Sequence, residues 1–176
     1  QKRGVTVFFG TMERADERLV DVSLQDPAVA PHVRGVGFQW AGKGAIAGIH
    51  RRYPELPLYQ TEQECGDGRN DWRYCRYAWT LMKHYLRNGA SAYLYWNISL
   101  KRGGVSRWGW AQNSLVTVDA DARTYAYTHE YYLMKHLKDE GAKVITCDID
   151  AEKVKHAVDE LGATGVATEA IYDAQA

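Results

Sequence analysis

No sign of charge dominates this chain. Lys and Arg number 22, and Asp and Glu 22, among 176 residues. There is no basic field to gather a polyanion, and no nucleic-acid partner is expected. Cysteine is scarce: Cys65, Cys75 and Cys147 show no metal-ligand spacing, and any disulfide leaves one over. Structural zinc is therefore not expected, no metal cluster is legible, and the redox compartment stays open. No apolar run is long enough to span a bilayer as a helix, and no basic-then-apolar leader is found. The first residue is Gln1 and not Met, which reads as processing or as a piece of something longer. Internal repeats and low-complexity tracts are missing too.

What is present is aromatic: 6 Trp and 12 Tyr. Aromatics at that density suit a core, an interface or a platform on which apolar sugar faces stack. The length allows one good core with room for a small appendage.

Apolar runs alternate with helical patterns. Residues 5–9 form a β-branched and aromatic run ended by Gly10, with Glu13 just past its carboxyl end. Asp16 is placed to cap a helix with Leu19 and Val22 inward, and Asp26-Pro27 to open a shorter one. A second strand covers residues 36–39 and ends at Gln39-Trp40. A helix follows with Ile46, Ile49 and Tyr53 at helical spacing, stopped by Pro54. Pro54 and Pro57 bar a helix before the third strand, which ends in Thr61-Glu62. A strong helix is expected over residues 72–87, with Tyr74, Ala78, Leu81 and Tyr85 on one face and Asn88-Gly89 as its stop. The fourth strand, residues 92–96, ends in Trp96-Asn97.

This alternation predicts an α/β fold of parallel β/α units: four of them, half of an eight-stranded barrel, which takes roughly 250 residues when complete. Beyond Gly103 the pattern changes to an antiparallel ribbon near residues 115–127, a helix over 130–137, and a strand over 143–148. A crossover through that helix would set the last strand parallel to the main sheet. Asp150 then caps a further helix. A half-barrel leaves two strand edges open, so self-association is expected.

At the carboxyl ends of parallel strands, side chains are placed for chemistry. Taken alone, Glu62 and Glu64 read as loop carboxylates in water. Trp40 and Trp96 read as barrel plugs or as sugar platforms.

Three segments carry a specific resemblance: residues 35–40 (GVGFQW), 61–68 (TEQECGDG) and 95–100 (YWNISL). Residues 109–115 (GWAQNSL) and Glu130-Tyr131-Tyr132 support them. In order and spacing they resemble the second half of the catalytic barrel of glycoside hydrolase family 30, the glucosylceramidase-like β-glycosidases, over about residues 4–136. The resemblance implies a partial (β/α)8 barrel and hydrolysis of β-glycosides with retention, without a cofactor. It makes Glu62 the catalytic nucleophile. It also implies that Gln39, Trp40, Trp96 and Asn97 bind the sugar, with Glu13 lining the pocket. The family's acid/base Glu belongs to an Asn-Glu-Pro motif, and no such motif occurs here. Retaining hydrolysis needs two carboxyls roughly 5–5.5 Å apart, so the acid is missing from this reading.

Residues 137–173 resemble instead the NAD-binding domain of leucine, phenylalanine and valine dehydrogenases. That resemblance places Asp148 at the adenosine ribose. The glycine-rich turn that anchors the pyrophosphate is absent, so no bound cofactor is expected. The chain thus reads as a splice: a half-barrel over 1–136 and a Rossmann-like strand and helix over 137–176, packed on the same sheet. Two alternatives to a glycosidase are a non-catalytic carbohydrate-binding or structural domain, and a residual NAD-binding fragment.

Overall fold

The computed structural model describes residues 5–146 together with Glu152, Val154, Lys155, Val158, Asp159, Thr164 and Gly165. Two compact units divide the chain, residues 1–130 and 131–176.

The first unit is built on four parallel strands: β1 (Val7–Met12), β2 (Val33–Gln39), β3 (Leu58–Glu62) and β4 (Ala90–Tyr93), in the order β1-β2-β3-β4. Parallel neighbours need a crossover, which three helices supply. They are α1 (Arg18–Gln25), α2 (Ile46–Arg52) and α3 (Trp72–Arg87). This is the arrangement of a partial TIM-type barrel. Phe9, Val36, Leu58 and Ala90 lie in register across the strands and form one row. That row, with Phe38, packs on Val20, Ile46, Ile49 and Tyr85 of the helical layer. Each fully buried Ile, Leu or Phe of this set contributes roughly 1.5–3 kcal/mol.

Alternate residues face the other way. Phe8 lies over Gly35 and Gly37 and meets Tyr59 edge-on, ring centroids 5.6 Å apart. A Cβ on Gly37 would come within 2.8 Å of the Phe8 ring and 2.9 Å of the Thr61 methyl. The two glycines of β2 thus make room for an aromatic ring on the face opposite the helices.

Two expected helices differ from what is observed. In α1 it is Val20 that is fully buried and Leu24 that packs on the core, while Leu19 and Val22 are exposed. The face is set by Asp21, which binds Arg52 and accepts from Tyr53 Oη at 2.8 Å. With Asp21 turned towards α2, the apolar positions one residue before and three after it meet the sheet. Asp16 does accept from the Arg18 amide at 3.1 Å, at the start of this helix. After Asp26-Pro27 the chain makes a turn and then a short 3-10 segment, Ala30–His32, in place of an α-helix. The span of α3 is as expected, with Asp71 accepting from the Tyr74 amide at 3.0 Å and Gly89 past its end at φ 86°.

Trp40–Gly44 forms a 3-10 turn after β2. A Cβ on Gly42 would lie 2.0 Å from the Met12 carbonyl oxygen, a backbone atom that cannot swing aside. Gly42→Ala is therefore expected to cost about 2–3 kcal/mol by overpacking, read as a lower urea midpoint with an unchanged m-value.

Beyond β4 a second sheet forms from β5 (Ser99–Lys101), β6 (Val116–Asp119) and β7 (Thr124–Tyr127). The β6–β7 pair is the expected antiparallel ribbon, and β5 adds to it in parallel. The helix α4 (His129–Asp139) follows. In the second unit β8 (Ile145–Thr146) pairs in parallel with β9 (Thr164–Gly165), in a two-stranded sheet of its own. Its hydrogen-bond partner comes from downstream, across a segment in which Glu152, Val154, Lys155, Val158 and Asp159 are helical, itself the kind of crossover a parallel pair needs. Cys147, Asp148 and Asp150 lie outside the described residues.

Candidate active site

Glu62 is the last residue of β3, and Gln39, the last of β2, stands opposite it in register. Trp40, the next residue along, has a left-handed backbone, φ 45°. That conformation costs a bulky residue about 1–3 kcal/mol unless its surroundings hold it. Here they do. Gly42 fits against the Met12 carbonyl, and Lys43 Nζ donates to the Trp40 carbonyl at 3.1 Å. The result is that Trp40 Nε1 donates to Glu62 Oε1 at 2.8 Å. Just before Glu62, the Thr61 hydroxyl donates to the Phe38 carbonyl at 3.1 Å and contacts the Thr11 hydroxyl. Three neighbouring strands therefore fix the carboxylate's approach, and Glu62 itself is half-buried.

Two residues on, Glu64 Oε1 accepts from Lys43 Nζ at 2.6 Å and Oε2 from Tyr77 Oη at 2.9 Å. Tyr74 Oη donates to the Glu64 carbonyl at 2.6 Å. Burial, and then the bond to Glu64, push the Tyr77 phenol up to about 12. Burial raises Tyr74 further. A pocket of about 390 Å³ opens here, lined by Trp40, Glu64, Gly66, Asp67, Asp71, Arg73, Tyr74 and Tyr77.

The loop between β3 and α3 is pinned from beneath. Asn113 Oδ1 accepts from the amides of Gly68 (2.9 Å) and Asn70 (3.3 Å), and the Asn113 amide donates to the Cys65 carbonyl at 2.6 Å. Asn113 Nδ2 in turn donates to Glu130 Oε1 at 2.8 Å. Glu130, only 1% exposed, also accepts from the Tyr95 hydroxyl and from Gln63. Tyr93 Oη closes the chain by donating to Gln63 Oε1 at 2.9 Å. Burial raises the Glu130 carboxyl above its ordinary range, against the pull of its three donors.

Of the residues singled out from the sequence, Glu62, Trp40 and Gln39 are brought together. Trp96 lies three residues past β4 and is 40% exposed, close to the 38% of Trp40. Asn97 donates its amide to the Asn113 carbonyl at 3.0 Å and to Gln112 Oε1 at 3.4 Å, and so braces the pinned loop. Glu13 is exposed one residue beyond β1. Sequence reasoning did not single out Lys43, Tyr77, Asn113 or the buried state of Glu130. Glu130 was marked only as part of the motif at residues 130–132, and an acidic residue in the first turn of a helix is ordinary, so nothing announced its burial.

Cys65 and Cys75 are free and buried. Burial pushes the Cys75 thiol up to about 11, and it raises Cys65 as well. Alkylation at pH 8 is expected to leave both unmodified in native protein and to modify both in denaturant, as read by peptide mass mapping. Among the described residues, no group of His, Cys, Asp and Glu could hold a metal ion, and no helix is long and apolar enough to cross a membrane.

The fold and these strand ends define a partial TIM-type barrel with a carboxylate and a tryptophan joined at its carboxyl rim. Solved structures that share that fold include two glycoside hydrolase-like neighbours. One is SrfJ of Salmonella typhimurium, with a TM-score of 0.59 and 20% identity over 65% of this chain and 27% of SrfJ. The other is the endo-β1,6-glucanase BT3312, with a TM-score of 0.55 and 21% identity over 68% of this chain and 29% of the glucanase. Separately, a 42-residue stretch is 52% identical to leucine dehydrogenase of Bacillus cereus, covering 24% of this chain and 12% of that enzyme. The chain therefore spans less than a third of the solved structures and a still smaller part of the dehydrogenase. No family model matches it.

Proposed function

We propose that residues 1–136 form a glycoside hydrolase site of the glucosylceramidase-like family 30 type, acting on β-glycosides with Glu62 as nucleophile. The observation that carries this reading is the bond from Trp40 Nε1 to Glu62 Oε1. It orients one carboxylate oxygen, leaves the other for attack, and sets an aromatic face beside it. In the first step Glu62 attacks the anomeric carbon and forms a glycosyl ester, while the aglycone leaves with the bonding electron pair. Water then cleaves the ester and returns the carboxylate. Gln39, Trp40, Trp96 and Asn97 bind the sugar, with Glu13 on the pocket wall. No described residue is assigned as the acid that protonates the leaving oxygen, so the first test uses a leaving group that departs unprotonated. An activated 2-deoxy-2-fluoro-β-glucoside is expected to add one glycosyl mass to Glu62, localised by peptide mapping. Folded protein that stays unmodified would overturn the reading. The likeness to the glucanase makes glucose the first sugar to try.

The outer strands β1 and β4 pair on one side only among the described residues. They are where a further half-barrel, from a second copy or another chain, would add. The leucine dehydrogenase match favours a second reading for residues 137–176: a spliced NAD-binding fragment with Asp148 towards the ribose, which titration with NAD tests.

A further inference from the structure

We propose that Glu64 is a positioning residue for Glu62, acting through Lys43 and Trp40; its role as positioner of a nucleophile rests on the glycosidase reading above. The path starts on α3. Tyr77 Oη donates to Glu64 Oε2 at 2.9 Å and Tyr74 Oη to the Glu64 carbonyl at 2.6 Å, so one helix holds both the side chain and the backbone of Glu64. Glu64 Oε1 accepts from Lys43 Nζ at 2.6 Å. The same ammonium donates to the Trp40 carbonyl at 3.1 Å, and Trp40 Nε1 donates to Glu62 Oε1 at 2.8 Å. His84 Nε2, also from α3, donates to the Lys43 carbonyl at 2.8 Å and fixes the base of the lysine. The turn that carries Trp40 is thus tied to a sixteen-residue helix through one ammonium.

An exposed ion pair contributes little. This one differs in two respects. Its side chains are only 33% and 18% exposed, and its lysine has a second acceptor on a residue with a left-handed backbone, φ 45°. A neutral carbonyl alone holds a flexible ammonium poorly against water, whereas a carboxylate on its other side fixes it by a charge-assisted bond. Without Glu64 the Trp40 turn loses this tether, and the indole loses its fixed aim at Glu62. Glu64 is not oriented as the missing acid, because both of its oxygens accept from donors of the protein itself.

The indole N–H resonance of Trp40, identified among those of the 6 tryptophans by its loss in Trp40→Phe, reads the bond to Glu62 independently of activity. It is expected downfield in wild type, and Glu62→Ala gives the position of the unbonded indole. Glu64→Ala is expected to move it towards that position. Lys43→Met, a swap of similar length at a partly exposed side chain, is expected to do the same. Lys43→Arg offers donors to both acceptors and is expected to keep the resonance near wild type. Glu64→Ala and Lys43→Met are also expected to slow labelling of Glu62 by the fluoro-glucoside about tenfold, the low end of what losing the indole donor costs. Lys43→Arg is expected to restore most of that rate. A merely structural role lowers the urea midpoint and leaves the indole resonance of the folded variants in place, which overturns the proposal. Wild-type labelling rates in both folded variants overturn it as well. A moved resonance in a protein whose wild type takes no label keeps the relay to Glu62 and removes the glycosidase. Label with an unmoved resonance removes the relay and leaves the glycosidase.

Discussion

Glu62→Gln protein exposed to the activated fluoro-glucoside stays at its unmodified mass, while wild type gains a single adduct. The amide keeps the size of the side chain and can still accept from Trp40, so the site is disturbed little. What is lost is the negative charge that forms the ester bond. Removing a nucleophile of this kind lowers the rate on the order of 10⁴-fold or more, and no adduct is expected within the hours that label wild type. Trp40→Phe is the graded companion. It keeps an aromatic ring but removes the donor at 2.8 Å from Glu62 Oε1. A hydrogen bond to a charged group is worth about 1.5–3 kcal/mol, so labelling slows by roughly 10- to 150-fold. Equal labelling of wild type and Glu62→Gln would place the reactive group elsewhere.

The second large effect is on stability. Glu130→Ala removes the acceptor shared by the Tyr95 hydroxyl, Asn113 Nδ2 and Gln63 at a site 1% exposed. Donors left unsatisfied in the interior cost about 1–3 kcal/mol each, so a total loss of roughly 3–5 kcal/mol is expected in urea unfolding. The same change frees Asn113, and with it the amides of Gly68 and Asn70 in the loop that follows Glu62. Slower labelling is therefore expected even under conditions where the variant is folded. Glu130→Gln keeps one acceptor oxygen and is expected to cost less.

The pH dependence has a definite sign. The folded-state pKa of Glu130 lies above the ordinary 4.5, chiefly through burial. Below that value both states hold the proton. As pH rises past 4.5 the unfolded chain ionises first, and the contribution of Glu130 is lost progressively up to its folded pKa. Asp21 acts in the opposite sense. Its carboxyl is held low by Arg52 and then Tyr53, so its stabilisation is present above 3.8 and lost as pH falls through its folded value. Urea midpoints across this range, compared with those of Glu130→Gln, isolate the Glu130 part. A variant with the same upward-pH loss as wild type would remove Glu130 as its source.

The strands and the longest helix were legible because their signals are local. Residues 36–39 and 56–59 are apolar runs bounded by glycine or proline, and α3 shows a regular apolar face between Asp71 and Gly89. Glu62 was legible as a candidate only through its position at a strand end and the motif around it. The face of α1 was misread because Asp21 pairs with Arg52, thirty-one residues later, and such a pairing leaves no trace in the local period. Near residue 145 periodicity says that a strand exists and not which neighbour it bonds; for Ile145–Thr146 that neighbour is Thr164–Gly165.

By itself, the sequence determined the β/α alternation and the residue types delivered near the carboxyl ends of its strands. Both follow from side-chain spacing along a few turns or one pleat, whereas the strand expected over 92–96 lies at Ala90–Tyr93 and that expected over 5–9 at Val7–Met12. Only the tertiary structure decided that Trp40 bonds Glu62, that Lys43 and Tyr77 hold Glu64, and that Glu130 is buried beneath the loop. These depend on groups far apart in the chain meeting within about 3 Å, the separation at which a hydrogen bond forms, and one-dimensional spacing does not encode that distance.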